Sequence, residues 1–208
     1  VTMPLKKVVC QYLDKLTPAA EMAGAVNVII NDDGVLTGHI TDGEGYMMSL
    51  VDAGVEYIGK KMIIVGSGGA STAVAIQAAM DGVRSISIFN HKDAFYSNGE
   101  RTVEGLREQI GCEAHMFDLA DMNLLHKEMM SSDIFINATP IGMEETLDQS
   151  VIPDASYFHK NLIVTDLIYV PVETKLLKIA KAAGNKTVNG LGMQLFQGVS
   201  AFKMWTGH

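Results

Sequence analysis

Lys61-Met62-Ile63-Ile64-Val65-Gly66-Ser67-Gly68-Gly69-Ala70-Ser71 is the stretch that decides the fold. Its first five residues suit a buried strand, and they run directly into a glycine turn that opens an apolar helix from Thr72 onward. Gly66 permits the tight turn and Gly68 lets the backbone approach a diphosphate. The helix N-terminus offers free N–H groups and positive partial charge to the anion. The third glycine of the usual dinucleotide fingerprint falls at Ser71, so the glycines alone are a weak signal. The order strand, turn, helix carries the reading instead. Gly66, Ser67, Gly68, Gly69 and Ala70 are therefore candidate cofactor-binding residues.

Working outward, short apolar runs at 85–90, 114–117, 133–137 and 162–166 add four more buried strands. Helical spacing at 70–80, 102–110, 123–130 and 174–183 places helices between and after them. Strand–helix alternation predicts an α/β fold with a doubly wound parallel sheet, a Rossmann-type domain. Upstream, runs at 24–31 and 35–41 flank Asn31-Asp32-Asp33-Gly34 and read as a hairpin at a sheet edge. Residues 43–54 read as a helix behind an Asp42 cap, and 193–205 as a terminal amphipathic helix.

The formal net charge of −8 and the absence of a basic stripe argue against nucleic acid as a partner. Cys10 and Cys112 show neither metal spacing nor a disulfide framework, so no metal is expected and a reducing, cytoplasmic setting fits. No apolar run approaches the ~20 residues of a membrane helix, and no signal peptide is visible. The chain opens on Val1-Thr2-Met3-Pro4, which reads like the middle of a loop, so an upstream segment is expected.

The second strand ends at Asn90, where a dinucleotide fold meets the adenine ribose, and His91-Lys92-Asp93 follow. Asp93 could accept from the ribose hydroxyls, although the tripeptide also reads as a solvated loop, a reading nearly even with the functional one for Asp93 alone. A 2′-phosphate calls for an arginine fork, absent here, with Lys92 as a weaker cation. NAD is favoured over NADP.

Several ordered segments together resemble the shikimate dehydrogenase family: Val1-Thr2-Met3-Pro4-Leu5-Lys6, Gly24-Ala25-Val26-Asn27, Thr41-Asp42-Gly43 and the glycine turn. The series continues through Asn137-Ala138-Thr139-Pro140-Ile141-Gly142-Met143, Asp166-Leu167-Ile168-Tyr169-Val170-Pro171, Gly190-Leu191-Gly192-Met193, Gln197-Gly198 and Trp205-Thr206-Gly207. The 90–95 stretch is more similar to the dual-specificity quinate/shikimate branch. The resemblance implies reversible oxidation of a ring hydroxyl of shikimate, or of quinate, with hydride passing to a nicotinamide. It matches Lys6 and Asp42 to the catalytic pair, Lys6 as general base assisted by Asp42, because hydride can leave an alcohol carbon only if the hydroxyl proton is taken. By the same carry-over Thr2, Asn27, Tyr169 and Gln197 are substrate-binding positions, while Asn137, Thr139, Gly190 and Met193 lie on the nicotinamide side. Without the motif, Lys6 is one of 16 Lys and Arg and reads as a surface charge.

On this resemblance, residues 1–42 are the remaining part of an α/β substrate domain, 43–192 the dinucleotide-binding domain, and 193–208 a helix returning toward the former. A small-molecule substrate is the implied partner, and a homodimer is left open. Two departures stand out. Ile40 occupies a position where the family usually has asparagine, and no segment matches the serine motif that grips the substrate carboxylate. The chain is therefore expected to be a fragment that binds NAD(P) but turns shikimate over poorly. Two alternatives remain: a non-catalytic NAD(P)-binding regulatory module, marked by loss of the Lys–Asp pairing, and a dehydrogenase of a different cyclic hydroxy acid.

Overall fold

The computed structural model describes residues 1–2 and 4–208; Met3, within the first family segment, lies outside them. In chain order the elements are β1 (Lys15–Leu16), α1 (Pro18–Ala23), β2 (Val28–Asp32), β3 (Val35–His39), α2 (Asp42–Asp52), β4 (Lys61–Val65) and α3 (Gly69–Met80). They continue with β5 (Ser85–Asn90), α4 (Tyr96–Gly105), β6 (Glu113–Asp118), α5 (Met122–Met129) and β7 (Ile134–Asn137). The last are β8 (Ile163–Asp166), α6 (Lys175–Ala182), β9 (Thr187–Val188) and α7 (Leu191–Thr206).

The larger sheet is parallel throughout, in the order β6-β5-β4-β7-β8-β9. The chain steps from β4 outward to β5 and β6, then returns to build the other half from β7. The direction of winding thus reverses beside β4, and crevices for ligands form at such a switch point, outside the strand carboxyl ends. Successive side chains of β4 face opposite ways: Met62 and Ile64 join a core with Tyr46, Leu50, Val74 and Leu106, whereas Ile63 and Val65 join one with Leu125, Met129, Leu176 and Leu177. Helices cover both faces, which is why the strand is apolar without alternation. Each fully buried isoleucine here stabilises the fold by about 2 kcal/mol.

The smaller sheet has the order β1-β3-β2. Its hairpin pairs Val28 with His39 and Asp32 with Val35, closed by Asp33 and Gly34 at φ 50 and 95. The strand expected over 24–31 begins only at Val28. Gly24 instead caps α1 in the left-handed region at φ 57, and Ala25 and Val26 pack with Ala20, Ile40 and Ala73 in a small separate core. Ile40, the departure from the family pattern, is thus an apolar packing residue.

Four further elements differ from expectation. β1 and β9 are two-residue strands, too short to show a period of two. α1 was signalled by Pro18 at its first turn and Gly24 past its end. The helix expected from 102 begins at Tyr96 and finishes in a π-wound turn, Leu106–Ile110. Its start is polar and contains Gly99, where a Cβ would lie 2.6 Å from the Met116 sulfur and 3.0 Å from Ser67 Cβ.

Two glycines wedge α2 between its neighbours. A Cβ on Gly43 would strike the Ala73 carbonyl of α3, and one on Gly45 would meet the Gln197 nitrogen of α7 at 2.5 Å. α7 in turn reaches the small sheet, where Trp205 Nε1 donates to the Ile29 carbonyl at 3.2 Å. No helix among the described residues is long and apolar enough to cross a membrane.

Candidate active site

A cleft of about 550 Å³ opens between the small sheet and the carboxyl edge of the large one. Thr2, Lys6, Asn27, Asp42, Tyr169 and Gln197 all line it, together with Ala70, Gly190 and Met193. Residues separated by nearly the whole chain thereby share one space. Gln194 and Trp205 also line it and were not singled out as site residues from sequence.

Lys6 lies in a turn whose carbonyl accepts from the Val26 N–H at 2.8 Å, which pins it beside Asn27. Its Nζ donates to Asp42 Oδ2 at 2.5 Å, with the two side chains 25% and 16% exposed. The pair is therefore screened from bulk water yet reachable. Contrary to the sequence expectation, Asp42 does not cap α2: Thr41 occupies the cap position and makes no side-chain cap bond. The Asp42 carboxylate is turned to Lys6 and to Asn27 Nδ2, 3.3 Å from Oδ1.

Asn27 organises the cluster. Its Oδ1 accepts from the Thr41 N–H at 2.9 Å, while Nδ2 stands 3.0 Å from Thr41 Oγ1, 3.3 Å from Asp42 Oδ1 and 3.4 Å from Gln197 Oε1. Two amide hydrogens are thus shared among three acceptors, so an incoming hydroxyl can displace one at little cost. Thr41, fully buried, also donates to the Gln197 carbonyl at 3.0 Å and locks α2 to α7. Nothing in the sequence around Thr41 signals a role for it; its place between Asn27 and Asp42 emerges only on folding.

The glycine turn has the geometry its sequence implied. Gly66 sits at φ 107, where a Cβ would lie 2.7 Å from the Ala138 carbonyl oxygen. Gly68 caps α3 with ordinary backbone angles, and a Cβ there or on Gly69 would meet nothing within 4 Å. The turn is thus close-packed below at Gly66 and open above at Gly68 and Gly69. Among the described residues no acceptor takes the N–H of Ser67 or Gly68. Free N–H groups, open space and a helix N-terminus fit a dinucleotide diphosphate. The Ser67 hydroxyl is directed elsewhere, donating to the Phe95 carbonyl at 2.8 Å.

At the ends of the strands on either side, several candidates are held by the protein itself. Asn90 Nδ2 donates to the His91 carbonyl at 2.7 Å and to Asp93 Oδ1 at 2.9 Å, and the same Oδ1 accepts from the Phe95 N–H. Asp93 thus shapes the turn, with Oδ2 unpartnered among the described residues. Lys92 is 70% exposed and only 3.9 Å from Asp118. Asn137 is fully buried, donates to the Ile141 carbonyl and Asp166 Oδ1, and accepts from the N–H and hydroxyl of Thr139. Its amide is saturated, so it shapes the loop after β7 rather than reaching outward.

Asp166, at the end of β8, was not singled out from sequence as a site residue. It is 1% exposed and accepts from Thr174 Oγ1 at 2.7 Å, the Ile168 N–H at 3.0 Å and Asn137 Nδ2 at 3.1 Å. Burial, opposed by these hydrogen bonds, pushes its carboxyl up to about 6. The signal was the acid placed directly after a buried strand, Ile163-Val164-Thr165-Asp166.

A dinucleotide turn at the switch point, facing a lysine–carboxylate pair across a cleft of substrate size, defines an NAD(P)-dependent oxidoreductase. A family model described as the shikimate dehydrogenase substrate binding domain matches residues 1–29. A shikimate dehydrogenase (NADP(+)) of Listeria monocytogenes serotype 4b is 54% identical over 206 residues, covering 99% of this chain and 71% of its own length. The crystal structure of shikimate 5-dehydrogenase from Listeria monocytogenes, in complex with shikimate and NAD, matches at 54% identity with a TM-score of 0.98, covering 100% of this chain and 72% of that one. A quinate dehydrogenase from Corynebacterium glutamicum in complex with NAD gives 31% identity and a TM-score of 0.87, covering 100% and 71%. The chain belongs to the shikimate dehydrogenase family.

Proposed function

We propose that this chain interconverts shikimate and 3-dehydroshikimate, and quinate and 3-dehydroquinate, with Lys6 accepting the hydroxyl proton and Asp42 orienting Lys6 and substrate. The observation that carries the proposal is the 2.5 Å contact of Lys6 Nζ with Asp42 Oδ2 inside the cleft. A regulatory module with no chemistry would not need that pairing. A nicotinamide nucleotide, when bound, supplies the hydride acceptor or donor.

The chain's own groups account for the remaining requirements. Lys6 takes the proton at Nζ as the alcohol becomes a ketone and returns it in reverse. Asp42 retains acceptor capacity on Oδ1 for the same hydroxyl. Thr2, Asn27, Tyr169 and Gln197 offer donors and acceptors to the other ring hydroxyls, and α2, wedged by Gly43 and Gly45, holds Asp42 at fixed distance from the glycine turn. Ser67, Gly68, Gly69 and Ala70 hold the diphosphate through backbone N–H groups, and Gly66, whose own N–H donates to the Phe89 carbonyl at 2.8 Å, makes the turn that presents them. Asn90, Lys92 and Asp93 border the ribose, while Thr139, Gly190 and Met193 form the nicotinamide side and Asn137 holds the loop that carries Thr139.

NAD is proposed as the preferred nucleotide, with NADP as the other: no arginine follows Asn90, and Lys92 is a single, poorly anchored cation. The division into 1–42, 43–192 and 193–208 belongs to the same reading, as does a cytoplasmic setting for the two free thiols, Cys10 and Cys112.

The test is to measure nucleotide binding by calorimetry and reduced-nicotinamide formation with shikimate and quinate, each with NAD and NADP. Nucleotide binding with slow, substrate-dependent reduction is expected, because these 208 residues hold no match to the carboxylate-gripping serine motif. Fast turnover would refute the need for that anchor. Binding with no reduction of either substrate would refute the shikimate and quinate assignment.

A further inference from the structure

We propose that Asn98 on α4 is a positioning residue for the diphosphate of the cofactor, acting by holding the Ser67–Gly68 peptide in the orientation that frees its N–H. The inference rests on the dinucleotide-binding reading above.

Asn98 Nδ2 donates to the Ser67 carbonyl at 2.6 Å and to Thr72 Oγ1 at 3.0 Å, reaching across 31 residues to the glycine turn and 26 to the first turn of α3. In a trans peptide the C=O and the following N–H point in opposite directions. Drawing the Ser67 oxygen toward α4 therefore turns the Gly68 N–H away from α4. Around that N–H the turn is open, since a Cβ on Gly68 or Gly69 meets nothing within 4 Å. An isolated glycine-rich turn would leave this peptide free to flip, because Gly68 on its far side imposes little restriction on the backbone.

The brace is itself held. Thr102 Oγ1 donates to the Asn98 carbonyl at 2.9 Å and lies 3.2 Å from Thr72 Oγ1, and the Ser67 hydroxyl donates to the Phe95 carbonyl. Gly99 permits this approach, because a Cβ there would press on Met116 and Ser67. The polar start of α4, which buries Gly99 and Thr102, is thus occupied with orienting the turn that follows β4.

The experiment compares binding of ADP, adenosine and NAD to the unmodified chain, Asn98→Ala, Asn98→Asp and Thr72→Val by calorimetry, with melting curves for each. Asn98→Ala is expected to raise the ADP and NAD dissociation constants about tenfold, leaving adenosine unchanged. Asn98→Asp, which sets an acceptor against the Ser67 carbonyl, should weaken ADP further and decides the matter if the alanine variant does not fold. Thr72→Val keeps the Asn98–Ser67 bond and removes only the second anchor of the amide, so it should weaken ADP less than Asn98→Ala does. Unaltered ADP binding in the Asn98 variants, equal losses of ADP and adenosine, or an equal ADP loss in Thr72→Val would each overturn the proposal. If the unmodified chain binds neither NAD nor NADP, it is the dinucleotide reading that fails.

Discussion

The glycine turn after β4 and the Lys6–Asp42 cluster face one crevice but are built from opposite materials. The turn is backbone, drawn from consecutive residues, and works because side chains are missing at Gly66, Gly68 and Gly69. The cluster is side chain, drawn from positions 6, 27, 42 and 197, and works because Thr41 and Asn27 tie three elements together. A local backbone device should fail through space and φ, whereas an assembled side-chain device should fail through lost partners.

The largest expected effect is on the assembled half. Lys6→Ala should lower turnover about a thousandfold while nucleotide affinity stays within a factor of two or so. Steady-state rates beside calorimetry check this, and a parallel loss of nucleotide binding would mean that the two halves are not separable.

The backbone half divides within itself. Gly66→Ala places a Cβ against the Ala138 carbonyl at positive φ and should cost about 2–3 kcal/mol of stability, seen as a lowered denaturation midpoint. Gly68→Ala has ordinary angles and free space, so it should fold normally but weaken NAD(P) about tenfold or more by filling the diphosphate position. Equal stability losses at the two positions would break the distinction.

pH separates the halves as well, because the turn holds no titratable side chain and the strand ends beyond it do. With Asp166 raised from 3.8 to about 6, the folded chain keeps a proton that the unfolded chain has released across that interval. Stability from this group is full below about pH 4 and is lost as pH rises through about 6, an effect of about 3 kcal/mol in all. Melting curves from about pH 4 to 7 should show this slope in the unmodified chain and its loss in Asp166→Asn.

The smallest effect lies at the exposed rim. Lys92→Ala should change stability by less than about 0.5 kcal/mol, since its ion pair is long and solvated. It should lower the ratio of NADP to NAD affinity. An unchanged ratio would remove Lys92 from the nucleotide contacts.

Legibility followed the same division. The strands of the large sheet from β4 to β8 and the glycine turn were readable because their signals are local: continuous apolar runs, a turn and an apolar helix. β1 and β9 were not, since two residues cannot display a period. The start of α4 was obscured because Asn98 and Gly99, ahead of the apolar run that begins after Thr102, serve the neighbouring turn and offer no apolar side chain. Lys6 and Asp42 were found only through family resemblance, as nothing about an isolated lysine or a carboxylate before a helix distinguishes catalysis from solvation.

What the amino-acid sequence determined by itself was the doubly wound parallel sheet and the place of its glycine turn, because hydrophobic burial and backbone freedom are properties of contiguous residues. Only the tertiary structure decided that Asp42 turns to Lys6 instead of capping α2, that Asn137 is saturated, that Asp166 is buried and that Asn98 braces the turn. Each of these depends on which side chains distant in sequence come within hydrogen-bonding distance, and packing alone sets that distance.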